Sequence, residues 1–318
     1  MSNFADRLLK AIDEKENPSV VGLDPRIGKI PGHIKDQAVQ AVCGDGYEAA
    51  AEALYQFGRG IIDAVYDIVP AVKPQRAFFE MYGSAGIRAF ERLVDYAKQQ
   101  GLIVIEDAKR NDIGSTAEAY AAGHLGSVPL AWGTSPVTAI DAMTVNPYLG
   151  SDGIKPFLEQ CGLNGKGIFV LAKTSNPSSG ELQDKLLQSS REPVYKDTAR
   201  QIDEWGKGLV GEEGFSSVGA VVGATYPQQA EELRGVMPNT IFLIPGYGKQ
   251  GGGSDGAVTG FTQEGRGGIV NSSRAVIFAY EDNDRFGPEQ FGDAARAEAE
   301  RMRTDLRGAL QRADKFRW

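Results

Sequence analysis

Short apolar runs recur along the chain, each closing on polar or small residues and each followed by a stretch with helical spacing. They are SVVGLDP (19–25), IVPAVKPQ (68–75), LIVIEDAKR (102–110), AMTVNPY (142–148), GIFVLAKTS (167–175), VGAVVGAT (218–225), TIFLIPG (240–246) and GIVNSSRAVI (268–277). The runs are nearly continuous rather than alternating, the pattern of parallel strands covered on both faces. Segments between them, such as 87–101, repeat apolar residues at helical spacing, and Gly101 is placed to cap that helix. Eight strand–helix units predict an α/β fold, a single-domain (β/α)8 barrel. An open doubly wound sheet is the alternative, but GLDPRIG after the first run lacks the GxGxxG spacing of its nucleotide-binding turn. Residues 31–57 and 178–200 read as surface insertions, and the mixed-charge tail 287–318 as a closing surface helix.

Composition narrows the classes. The chain has 318 residues, 42% hydrophobic and 24% charged, which suits a soluble globular protein and allows one barrel or two smaller domains. No uncharged run reaches ~18 residues, so neither a membrane span nor a signal peptide is expected. The 34 basic and 42 acidic residues give a net charge of −8, which argues against broad nucleic-acid binding but leaves room for a local cationic pocket. Cys43 and Cys161 stand far apart with no CxxC spacing, so no disulfide framework or structural zinc is indicated and a reduced, cytoplasmic setting is the default. With His33 and His124 as the sole histidines, chemistry is expected from Lys, Asp or Glu.

A barrel gathers function at the C-terminal ends of its strands, and those ends carry Asp24, Lys73, Asp107, Lys109, Ser175 and Arg274. Asp107 and Lys109 are two apart, so on a strand they share one face, and Asp112 follows in the loop. A carboxylate–ammonium–carboxylate row keeps the lysine protonated in a dry site, where it is a positioned general acid. A solvated charge cluster fits the same spacing. Glu106 would face the helices, an uneasy place for a charge. Lys73 could equally snorkel at its strand end, Asp24 form a turn before Pro25, and Ser175 sit in a polar loop or cap a helix near Pro177. The glycine-rich 244–260 segment lacks the GxxxxGK[ST] order of a P-loop. After the seventh strand its backbone amides would nonetheless lie where barrels bind phosphate, beside the Arg274 guanidinium. A plain loop and a surface ion pair are the bland alternatives.

GLDP, AVKPQ, DAKRNDIGST, VNPYLG, AKTSNPSS, PGYGKQGG and SRAVIF, in that order, resemble the orotidine 5'-monophosphate decarboxylase family, and more closely its longer bacterial subgroup. The resemblance implies a homodimeric TIM barrel that uses no cofactor and no metal and converts orotidine 5'-monophosphate to UMP and CO2 in de novo pyrimidine biosynthesis. It implies a Lys-Asp-Lys-Asp tetrad of Lys73, Asp107, Lys109 and Asp112. Lys109 would protonate C6 of the pyrimidine, and Asp107 would lie close to the departing carboxylate. Asp112 and Thr116 would be given to the partner subunit's site. Asp24 and Lys73 would meet the ribose, Ser175 the pyrimidine edge, and Gln250, the Gly251 backbone and Arg274 the phosphate, with 249–260 a mobile closing loop. Two alternatives remain: a magnesium-dependent sugar-phosphate relative sharing the Asp-x-Lys-x-x-Asp pattern, and a nucleotide-binding regulator without turnover.

Overall fold

The computed structural model describes residues 3–137, 139–248, 251–282 and 284–318. Ten strands occur in chain order: β1 (Ser19–Leu23), β2 (Ala71–Pro74), β3 (Ile103–Arg110), β4 (Ser127–Leu130), β5 (Gly133–Pro136), β6 (Ala142–Val145), β7 (Gly167–Lys173), β8 (Ser216–Val222), β9 (Thr240–Ile244) and β10 (Gly268–Ser272). Eight of them close a barrel in the order β1-β10-β9-β8-β7-β6-β3-β2, with every neighbouring pair parallel. Each predicted apolar run is a barrel strand. The last run divides: its strand ends at Ser272, and Arg274–Ile277 turns into a short helix. The helix expected at 87–101 spans Gly83–Gln99, and Gly101 follows with φ 79°.

The antiparallel β4–β5 hairpin lies outside the barrel, between the helix Gly114–Leu125 and β6. Sequence patterning missed it because SVPL and GTSP carry prolines and no alternation of apolar and polar positions. The stretch 31–57 forms the helix Gly32–Val42 and the start of Tyr47–Val65, which leads from β1 towards β2. Residues 178–200 hold most of the turn Pro177–Glu181, a loop, and the start of the helix Val194–Gly206.

One end of the barrel is plugged. The N-terminal helix Phe4–Lys15 is capped by Asn3, whose side chain accepts from the Ala5 amide, and it buries Phe4, Ala5, Leu8, Leu9 and Ile12. Those residues join Ile103, Ile105, Phe169, Ile241 and Ile269 from the barrel interior in one cluster, with Phe4 edge-on to Phe169 at 5.9 Å. A larger cluster fills the layer between strands and helices. The tail forms the helix Phe291–Arg312, which buries Ala295, Ala299, Met302, Leu306 and Leu310 at helical spacing. No helix among the described residues is long and apolar enough to cross a membrane. With the interior packed and the N-terminal mouth shut, the C-terminal rim is the end left open.

Candidate active site

A cavity of about 520 Å³ occupies that rim. Its two sides differ in chemistry. Asp24, Lys73, Asp107, Lys109, Thr144 and Asn271, from β1, β2, β3, β6 and β10 or just beyond them, make a polar wall. Leu171, Val221 and Leu243, from β7, β8 and β9, make the apolar wall opposite.

Asp107, 7% exposed, is the hub of the polar wall. Lys73 Nζ donates to its Oδ2 at 2.6 Å, while Lys109 Nζ and, at 2.9 Å, the Thr144 hydroxyl both donate to Oδ1. Burial alone would raise this carboxyl's pKa, but the two ammonium groups more than offset it and hold Asp107 far below the usual carboxylate range. Burial likewise opposes the charge on Lys73, yet Asp107 and Asp24 push its pKa above the ordinary lysine value. The Lys109 side chain is 47% exposed and projects into the cavity, so its proton is within reach of a bound molecule.

The two-residue spacing does place Asp107 and Lys109 in one pocket, but not on a regular pleat. Glu106 pairs with Met143 and Arg110 with Val145, so three residues of β3 oppose the single Thr144 of β6. This bulge puts Lys109 at φ 49°, in the left-handed region. Its amide, which the irregular ladder leaves over, donates to Thr144 Oγ1 at 3.0 Å.

Glu106 does face the helices, 1% exposed, and an arginine and a histidine meet it there. Arg76 donates to Oε1 at 2.6 Å, and His124 Nδ1 lies 2.6 Å from Oε2. Burial favours the neutral acid, but His124 and Arg76 outweigh it and lower the pKa. Arg76 also donates its backbone amide to the Asp107 carbonyl at 3.2 Å, so the same connection ties β2 to β3 behind the pocket.

Around the rim, Asp24 Oδ1 and Asn271 Oδ1 are both buried without a hydrogen-bond partner. Ser175 lines the cavity and packs closely against Gly223, where an added Cβ would lie 2.9 Å from the Ser175 Cα. The loop carrying Ser175 is braced by Gln183, whose Oε1 accepts from the Thr174 amide at 3.0 Å. Beneath it the fully buried Lys173 donates to Asp184 at 2.7 Å and to Ser179 at 3.2 Å. Arg274 lines the cavity, and among the described residues no carboxylate pairs with it. Gly251 stands at φ 93° and donates its amide to the Gly248 carbonyl at 2.8 Å, outside the cavity wall. Gln250 lies outside the described residues. Asp112 and Thr116 sit in and after the β3 loop, away from this chain's own cavity. Residues 254–260, the later part of the expected closing loop, are packed: Ser254, Ala257 and Val258 are buried, and Ser254 donates to Asp305 at 2.9 Å.

Sequence reasoning missed Thr144, Asn271 and Gln183. The first two had a signal, since each is a polar residue two positions beyond an inward apolar one, Ala142 and Ile269. Gln183 had none, because a loop fold brings it to the cavity.

A plugged eight-stranded parallel barrel with charged strand ends around one open pocket defines the class of (β/α)8 barrel enzymes. The chain belongs to the Orotidine 5'-phosphate decarboxylase / HUMPS family, whose profile matches residues 58–285. It is 43% identical over 314 residues to the orotidine 5'-phosphate decarboxylase of Rhodopirellula baltica, covering 97% of this chain and 100% of that relative. It is 42% identical over 282 residues to the enzyme of the same name from Caldicellulosiruptor bescii, covering 89% and 92%. The solved structure of Leishmania donovani OMP decarboxylase superposes with a TM-score of 0.71 at 27% identity, over 97% of this chain and 98% of that one.

Proposed function

We propose that this protein decarboxylates orotidine 5'-monophosphate to UMP and CO2, as a cofactor-free and metal-free homodimer serving cytoplasmic de novo pyrimidine synthesis. The observation that carries the reading is the Lys73–Asp107–Lys109 row, in which buried Asp107 joins buried Lys73 to Lys109, which projects into a cavity whose opposite wall is apolar. When the bond from C6 to the carboxylate breaks, its electron pair stays on C6 and neutral CO2 leaves. The Lys109 ammonium stabilises that developing charge and delivers its proton to C6, an interaction strongest in the transition state. Asp107 faces the substrate carboxylate and disfavours it in the ground state, while Leu171, Val221 and Leu243 receive the uncharged product.

The orphaned acceptors of Asp24 and Asn271 suit the ribose hydroxyls, which are donors. Ser175 meets the pyrimidine edge. Arg274, which pairs with no carboxylate among the described residues, takes the phosphate together with Gln250 and the Gly251 backbone. Ile113, next to Asp112, is exposed, as are Tyr148 and Leu149 just ahead of the helix whose Gly153 packs against the Asp112 carbonyl, and this apolar surface suits a second copy that would receive Asp112 and Thr116. Lys73 where magnesium-dependent relatives place a carboxylate favours the pyrimidine substrate over a sugar phosphate. The purified protein should consume orotidine 5'-monophosphate with a fall in absorbance and release UMP. Equal inactivity of wild type and Lys109→Ala, with UMP bound by both, would establish a binding protein instead.

A further inference from the structure

The bulge in β3 gives the catalytic row an unusual support. In a regular ladder, Lys109 could not lie in the left-handed region, and its amide would bond to the neighbouring strand's carbonyl. Here the amide instead donates to the side chain of Thr144, at 3.0 Å, and the same hydroxyl donates a hydrogen bond to Asp107 Oδ1, at 2.9 Å. Thr144 is 1% exposed and is the one β6 residue opposite three of β3. One hydroxyl therefore joins the backbone of the proton donor to the carboxylate that orients its ammonium. With the β-branched rotamer restricted and both partners occupied, it has a single arrangement.

We propose that Thr144 is a positioning residue for decarboxylation: it holds the Lys109 backbone in its left-handed conformation and fixes the Asp107 carboxylate, so that the ammonium stands at one height above the pocket floor. The assignment rests on the decarboxylase reading for its kinetic consequence, but its geometry stands apart from it. Thr144 acts through Lys109 and Asp107 and needs no contact with the ribose or phosphate groups that set affinity.

Thr144→Val keeps the shape and removes both hydrogen bonds, whereas Thr144→Ser keeps both. The valine variant should lose about 10- to 100-fold in kcat with orotidine 5'-monophosphate, the cost of a misplaced catalytic group, with KM within about twofold of wild type. The serine variant should recover most of that loss. Hydrogen exchange at the Lys109 amide, read by mass spectrometry of the peptide that contains it, should speed up in the valine variant and stay near wild type in the serine variant. An active wild type with an unaltered valine kcat would overturn the proposal and leave the decarboxylase reading intact. An inactive wild type would overturn that reading, and the exchange measurement would still decide the geometry: unchanged protection in Thr144→Val refutes the Thr144 bridge. A valine variant with a lowered melting temperature, unchanged exchange at the Lys109 amide and no recovery of kcat by serine would overturn the proposal and mark Thr144 as a packing residue only.

Discussion

Two buried aspartates occupy opposite ends of the same barrel. Asp107 ends β3 at the open rim, bonded by Lys73, Lys109 and Thr144. Asp141 precedes β6 at the closed mouth, 4% exposed, and accepts from Arg7 at 3.0 Å, Lys98 at 2.6 Å and the Val104 amide at 2.9 Å. As lists of partners the two are nearly the same, a carboxylate with two cations and one further donor. They differ in access. Arg7 belongs to the N-terminal helix that plugs the barrel, so the Asp141 cluster is spent on joining that helix to the strands, whereas the Asp107 cluster looks into a cavity with an apolar far wall. A buried charge network is therefore no mark of function until something can reach one of its members.

The largest expected effect separates the two ends directly. Lys109→Ala should lower kcat by about 10²- to 10⁴-fold, the range for loss of a general acid, with a melting temperature close to wild type because that side chain is half exposed. Steady-state kinetics beside differential scanning calorimetry would check both halves. Asp141→Ala should do the reverse. Removing that carboxylate takes away the acceptor shared by Arg7, Lys98 and the buried Val104 amide at the plugged end and should cost roughly 3 kcal/mol of stability by urea unfolding. The folded fraction at low temperature should keep its kcat. A severe kcat loss in Asp141→Ala would erase the distinction drawn between the ends.

Within the open end, the proposed function predicts a smaller contrast between the polar groups it assigns to the reacting carbon and those it assigns to the phosphate. Arg274→Ala removes a cavity-lining guanidinium that pairs with no carboxylate among the described residues, and a charge-assisted hydrogen bond contributes about 1.5–3 kcal/mol. KM should rise by roughly 10- to 100-fold, more than kcat falls, when initial rates are followed across substrate concentration. A selective kcat loss would move Arg274 from phosphate binding to the chemical step.

The barrel was legible because its strands are buried on both faces, so that LIVIEDAKR or TIFLIPG stands out in sequence as an unbroken apolar run. The acidic and basic residues that close those runs were legible for the same reason. The support between strands was not. The β3 bulge depends on the register of β3 against β6, residues that lie 35 apart in the Lys109–Thr144 contact, and no local pattern encodes it. Glu106 shows the limit from the other side. Its outward direction followed from strand parity, but Arg76 and His124, which make that direction tolerable, come from a separate loop and a separate helix.

The mildest expected effect concerns pH, and its sign follows from the shifts. Asp107 is depressed in the folded state, so its stabilisation is fully present above the unfolded carboxylate value, about 3.9, and is lost as pH falls through the folded value. Lys73 is raised, so its stabilisation is fully present below about 10.4 and is lost as pH rises through its folded value. Between roughly pH 5 and 9 neither group changes its protonation in either state, and the cluster's contribution to stability should be constant. Urea unfolding of wild type and the double variant Lys73→Met/Asp107→Asn, which retains neither buried charge, should then give the same stability difference at pH 5, 7 and 9. A difference that changed by about 1.4 kcal/mol per pH unit would mean that one proton binds differently in the two states within this window. In that case the rim aspartate would not be held as a carboxylate between two ammonium groups, and its likeness to the structural cluster at the far end would be only a likeness of neighbours.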